Sequence, residues 1–283
     1  SEPADERRGR DPATMQFSRD INGLRAIAVA AVVLFHLLVP GFGGGFAGVD
    51  VFFVISGYLM TGIIVGRQDA GRFSVWGFYA DRARRIVPAL VVLCVVLLAV
   101  GWFFLLPSDY KKLGKQVGAS LGFVSKITFW REAGSFAAVS PRTWKQHTWS
   151  LSVEWQFYLL YPLLLVALRR LAGPARLRGA LGLLLAASLA GAAFGALDPS
   201  ASFYLLPTRA WEMLLGGLAW GAVVPGGPAV RRAIEVVGLA AVLGSLALLD
   251  AGRRWPDALA IAPTLGPALV LAARREASPL LGH

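Results

Sequence analysis

The chain has 283 residues, 56% of them hydrophobic and only 16% charged, where an ordinary soluble domain is about 25% charged. That deficit leaves too little polar surface to coat a water-soluble particle, and the apolar residues come in blocks near the roughly 20 residues that a bilayer crossing needs. The net charge is +11, from 28 Lys and Arg against 17 Asp and Glu; the cations sit mainly between the apolar blocks, where membrane lipid headgroups account for them and no nucleic-acid partner is expected. The expected fold class is an all-α, polytopic transmembrane bundle.

Residues 1–18 (SEPADERRGRDPATMQFS) are polar and aperiodic, and read as a disordered tail ahead of a membrane domain over 19–283. They lack the apolar centre of a secretory signal peptide. Apolar blocks follow at 24–40, 49–66, 86–106, 149–168, 179–197, 204–224, 233–249 and 258–273. Lipid obliges each segment to satisfy its own backbone groups, so all eight are expected to be helices. Between the first two, GFGGGFAG (41–48) reads as a short outer turn; without a following GK[ST] it is not a phosphate loop. A weaker ninth segment at 113–130, carrying Lys115 and Lys126, reads as an interfacial or re-entrant helix. Cys94 is the single cysteine, so no intrachain disulfide can form.

Orientation follows from the cations. Arg7, Arg8, Arg10 and Arg19 precede the first block, and Arg67, Arg72, Arg82, Arg84 and Arg85 separate the second from the third. Arg169, Arg170, Arg176 and Arg178 follow the fourth, Arg231 and Arg232 the sixth, and Arg274 and Arg275 the eighth. These are every second connection, so eight spans with a cytoplasmic N-terminus satisfy the positive-inside rule. The connection 107–147 dissents, with seven cations between Lys111 and Lys145 on the side expected to face out. Two extra crossings there would leave the later topology unchanged.

An ionisable residue within a span usually faces a partner or a cavity, since a charge at the helix centre costs about 2.5–3.5 kcal/mol on insertion scales. His36 lies deep in AVAAVVLFHLLV. It reads either as a general base, because imidazole changes charge near neutral pH, or as an interhelical hydrogen-bonding residue without chemistry. Asp50 opens the second block and reads as the cap of that helix in preference to an orienting partner for His36. Arg82 and Arg85 share a face of YADRARRIVPAL; guanidinium pairs bind phosphate bidentately, yet a plain positive-inside cluster explains them more simply at this point. Glu154 in HTWSLSVEWQFYLLYP stands one turn from Ser150 and two from His147, and reads as a catalytic acid or as a helix-start acid complementing the dipole. Arg209 and Glu212 have the i, i+3 spacing of an ion pair, and Ser56 beside Gly57 reads as a packing residue.

Taken together, INGLRAIAVAAVVLFH, GGFAGVDVFFVISGYLMT, FYADRARRIVPA, HTWSLSVEWQFYLLYP and FYLLPTRAWEMLLG resemble, in order and spacing, the acyltransferase 3 family of integral-membrane O-acyltransferases related to O-antigen acetylases. The resemblance covers about residues 17–280. It implies transfer of an acyl group, commonly acetyl, from acyl-CoA to a hydroxyl of an extracytoplasmic glycan or lipid-linked saccharide in a bacterial cell membrane. It further implies that His36 and Glu154 are catalytic and that Arg25, Arg82 and Arg85 bind the acyl donor. Asp50, Ser56, His147, Arg209 and Glu212 are kept as supporting candidates. No metal and no cofactor beyond the acyl-CoA co-substrate is expected.

Two departures from the family pattern matter. Trp155 stands where many relatives carry a second acid, and the chain ends at EASPLLGH where relatives continue with further helices. The alternatives are therefore a carrier of a lipid-linked or anionic solute and an inactive truncated homologue. Transporters favour inverted repeats, and none is visible. On the positive-inside assignment His36 lies towards the outer side and the arginines towards the inner. Arg25 and His36 are separated by about 16 Å along a helix, a depth that an extended pantetheine arm is expected to thread.

Overall fold

The computed structural model describes residues 12–121, 148–193, 206–222, 224–250, 255 and 258–273. Among the described residues, every regular element is a helix. They are α1 (Pro12–His36), α2 (Gly48–Asp69), α3 (Val75–Phe104), α4 (Pro107–Leu121), α5 (Thr148–Ala172), α6 (Leu177–Ala193), α7 (Leu206–Gly221), α8 (Pro228–Leu248) and α9 (Ile261–Ala273). Each of the eight apolar blocks falls on a helix of its own, and α4 covers the beginning of the ninth segment. α1 starts at Pro12, inside the stretch assigned to a tail. Three helical stretches, Gly45–Asp69, Val75–Phe104 and Pro174–Ala193, are long and apolar enough to cross a membrane; Ile21–His36 and Ile261–Ala273 are shorter apolar helices.

The chain divides into two compact units. The first holds α1, α2 as far as Gly62, α6, α7 from Ala210, α8 and α9. Its core gathers Leu24, Ala28 and Ala31 of α1, Val51, Val54 and Ile55 of α2, Val242 and Leu246 of α8, and Val270 and Leu271 of α9. Small residues set how closely these helices approach, as they do wherever lipid supplies no hydrophobic drive between helices. A 3-10 turn at Gly45–Ala47 precedes α2. A Cβ on Gly45 would strike the Ala31 carbonyl, and one on Gly48 would come within 2.6 Å of the Ala28 carbonyl. The glycine segment therefore descends along α1, and its glycines are wedged against helix backbone.

Further along α2, Gly57 meets the Met213 backbone of α7, Gly216 meets Val54 and Tyr58, and Gly62 meets Trp220. These pairs advance in the same direction on both helices, so α2 and α7 run parallel. Glu212 consequently sits about one helical turn from Asp50 in depth. Trp211 donates its backbone N–H to Ser188 Oγ at 3.0 Å, tying α7 to α6.

The second unit holds the end of α2, α3, α4, α5 and the first residues of α7. Hydropathy alone starts the third helix at residue 86, yet α3 begins at Val75, because Ser74 caps it by accepting the Gly77 N–H at 3.3 Å. Leu113 and Val117 of α4 pack on Leu90, Cys94 and Leu98, while Tyr110 meets Trp102. Later residues of α4 meet earlier residues of α3, so α4 doubles back along α3 as a helical hairpin. Its apolar face is thereby spent on α3, while Lys111, Lys112 and Lys115 stay exposed.

Gly57 and Gly66 lie on the same helix in opposite circumstances, since a Cβ on Gly66 meets nothing within 4 Å. Gly57→Ala is expected to cost about 1–3 kcal/mol of stability through overpacking. Gly66→Ala is expected to be neutral or stabilising by up to about 1 kcal/mol, as an exposed helical glycine is relieved. Thermal unfolding of the two variants in detergent checks this; equal midpoints would refute the backbone-contact packing.

Candidate functional site

His36 is the last residue of α1. The helix ends there in a Schellman cap: Leu38 N–H donates to Phe35 O and Val39 N–H to Leu34 O, both at 3.0 Å. The residue that such a cap needs in the left-handed region is usually glycine, but here it is Leu38, at φ +56°. A side chain in that conformation costs about 1–2 kcal/mol, and the cost is borne two residues from the candidate base. Leu37 and Leu38 project outward at 68% and 85% exposure.

The imidazole itself is half-buried. Its Nδ1 lies 2.6 Å from the carbonyl oxygen of Val32. A carbonyl can only accept, so Nδ1 must carry the proton, and in the neutral ring Nε2 is the basic nitrogen. Phe35 packs edge-on against the ring at 5.2 Å between centroids, and continues through Phe46 to Trp255 as an aromatic row.

Asp50 lies in the first turn of α2 and is 1% exposed. Gly48 packs at the level of Ala28, and His36 stands just over two turns higher on α1, about 12 Å. The two side chains are thus separated in depth. Arg25, half-buried on α1, is three turns below His36. Ser56 is buried beside the Gly57 contact, and Glu212 is fully buried on α7. Arg209, one turn earlier on the same helix, is also fully buried.

The second unit carries the arginine pair. Arg82 is half-buried and Arg85 exposed. The Arg82 guanidinium lies 5.8 Å from the centroid of Phe78, a cation–π arrangement, and its Nε is buried with no hydrogen-bond partner among the described residues. Arg67 of α2 pairs with Asp81 at 2.8 Å. Arg169 of α5 reaches Asp69 at 2.5 Å and Gln68 at 3.2 Å. Exposed pairs of this kind are worth at most about 1 kcal/mol. Their effect is to engage the acids around the arginines with other cations.

Glu154 is half-buried on α5, and its Oε2 accepts a hydrogen bond from Tyr158 Oη at 3.3 Å. Tyr79 of α3 donates to the Leu159 carbonyl at 2.6 Å. The Arg169–Asp69 contact lies towards the start of α3, so α5 runs antiparallel to α3, and Glu154 falls at the depth of the Arg82–Arg85 turn. The eight-span reading put Glu154 near the outer end of its span and the arginines at the inner end of theirs. The structure sets them level, because α5 packs on the polar first third of α3 and not on its apolar remainder. His147 lies outside the described residues.

Two residues escaped the reading of the sequence. Tyr158 had a signal, its i, i+4 spacing from Glu154. Glu235 on α8 is a lone acid in an apolar block, 2% exposed, and the criterion applied to His36 selects it equally. Among the described residues, no cluster of His, Cys, Asp and Glu has the makings of a metal site.

The profile of the acyltransferase domain family Acyl_transf_3 matches residues 18–276. The peptidoglycan O-acetyltransferase OatA of Listeria monocytogenes is 37% identical over 72% of this chain and 34% of its own length. A Staphylococcus aureus protein provisionally named an O-acetyltransferase is 35% identical over 54% of this chain and 26% of its own. A Komagataeibacter xylinus protein provisionally named the membrane-bound transacylase BcsY is 33% identical over 84% of this chain and 58% of its own. This chain thus spans about a third or less of the first two relatives, and no solved structure matches it significantly. With a match that runs through nearly all of its residues, the chain belongs to the Acyl_transf_3 acyltransferase family.

Proposed function

We propose that this chain is the membrane-embedded part of an O-acyltransferase of a bacterial cell membrane. It moves an acyl group, taken as acetyl, from cytoplasmic acyl-CoA to a hydroxyl of an extracytoplasmic glycan or lipid-linked saccharide. The apolar helices lie in the membrane with the N-terminus inside. The observation that carries the reading is the His36 imidazole, held by Val32 so that Nε2 is the base, in a chain whose family and relatives are acyltransferases.

His36 Nε2 takes the proton of the acceptor hydroxyl as its oxygen attacks the thioester carbonyl carbon. The C–S bond breaks, the acyl group passes to oxygen as an ester, and the departing CoA thiolate takes the proton back from the imidazolium. Arg82 and Arg85 hold the phosphates of the donor nucleotide on the cytoplasmic side by charge-assisted hydrogen bonds. The pantetheine arm covers the depth between Arg25 and His36, so the nucleotide itself need not cross.

Membrane vesicles given labelled acetyl-CoA test the reading. His36→Ala is expected to abolish transfer while retaining donor binding, whereas Arg82→Ala and Arg85→Ala should each weaken donor binding about tenfold or more. Full turnover in His36→Ala would end the general-base assignment, and solute movement without release of free CoA would identify a carrier. A second measurement addresses the ring itself. In 15N-histidine-labelled protein the neutral His36 is expected to carry its proton on Nδ1; a proton on Nε2 would contradict the role given to Val32.

A further inference from the structure

Residues 86–104 of α3 carry no charge, and at 1.5 Å per residue they rise about 27 Å, close to the hydrocarbon thickness of a bilayer. Arg82, Arg84 and Arg85 mark one end of that run. At the other end Trp102, Phe103 and Phe104 are 70%, 80% and 82% exposed, and Leu106 projects beyond them. Across the hairpin, Tyr110 meets Trp102 edge-on at 5.6 Å between centroids, and Leu113 lies against Gly101. Lys111 and Lys112 are therefore level with the exposed aromatic rings, and Lys115 is within about one turn of them. All three lysines are exposed, on the side of α4 away from its contacts with α3. Asp109 engages Lys112 at 2.9 Å, while Lys111 and Lys115, an i, i+4 pair, meet no acid among the described residues.

We propose that the tip of the α3–α4 hairpin is a lipid-recognition site, where the aromatic rings seat in the membrane interface and Lys111 and Lys115 pair with the phosphates of anionic phospholipid. The inference goes beyond the acyltransferase reading and does not depend on it. Tryptophan and its aromatic neighbours favour the headgroup level, and lysine stems lie along apolar surface while their ammonium groups reach the phosphate. A hydrophobic partner helix would cover the rings and strand the lysines. A bilayer interface satisfies both, since it presents acyl chains and phosphate side by side. The headgroup must carry net negative charge, because a zwitterionic one cancels most of the attraction. Three of the cations that dissent from the positive-inside pattern stand in this tip, and anionic lipid supplies their counter-charge.

The test places a bimane label on Ser108→Cys, in a Cys94→Ala background, with the full chain in phosphatidylcholine nanodiscs. Quenching by spin-labelled phosphatidylglycerol is expected to exceed quenching by spin-labelled phosphatidylcholine about twofold or more at equal mole fraction. Added salt should shrink that difference. Lys111→Gln with Lys115→Gln should bring the two lipids level without altering quenching by phosphatidylcholine. Lys111→Glu with Lys115→Glu should reverse their order. A preference for phosphatidylglycerol that persists in the glutamine variant would overturn the proposal. So would a label that neither lipid quenches when the lysines are intact, since the tip would then lie away from the bilayer or beneath protein.

Discussion

Gly45 and Gly48 lie against the carbonyls of Ala31 and Ala28 with no side chain between the two backbones. Gly57 and Gly216 repeat the arrangement between α2 and α7. Apolar area gives lipid-embedded helices little reason to prefer one another over lipid, so what decides their spacing is how closely their backbones can come. The depth of each polar group in the first unit follows from these contacts. Because α2 begins low against α1, Asp50 sits far below His36, and Glu212 lies about one turn from Asp50 in depth, an order that helix lengths alone would not give.

Much of this was legible in hydropathy. Each apolar block became a helix because no other structure satisfies backbone groups in lipid within one segment. The boundaries shifted where local chemistry overrode hydropathy: Ser74 carries α3 back over the polar DRARR stretch, and the Schellman cap stops α1 at His36 although Leu37, Leu38 and Val39 continue the apolar run. Register between helices was not legible. Placing Glu154 level with Arg82 depends on a bond between Tyr79 and Leu159, residues far apart in the chain that carry no pattern marking them as partners. The glycine segment was recognised as a turn, but its wedging role depends on carbonyls that sequence does not locate.

On the proposed reading, the environment of His36 orients a base using few polar groups. A soluble enzyme often orients a histidine with a buried carboxylate, and a second charge within a span is costly to insert. Here the orienting acceptor is a carbonyl of the preceding helical turn, which comes with the backbone. Its use requires the imidazole to fold back onto its own helix, and at His36 the helix also ends, with the chain turned sharply away. Leu38 in the left-handed region makes that turn. Strain at such a position persists only where the surrounding structure over-determines it, and the cap's two hydrogen bonds supply that determination.

The arginine turn poses the opposite electrostatic problem, an excess of like charge whose natural remedy would disable it. On the proposed reading, an acid paired directly to Arg82 would compete with the anionic donor, whereas an acid entirely absent would leave adjacent guanidiniums in mutual repulsion. Acids held near at hand but committed to other cations lie between these extremes. Asp81 with Arg67 and Asp69 with Arg169 are two forms of that solution. Both rest on partly exposed ion pairs that salt would screen, so the charge balance at the arginine turn depends on ionic strength.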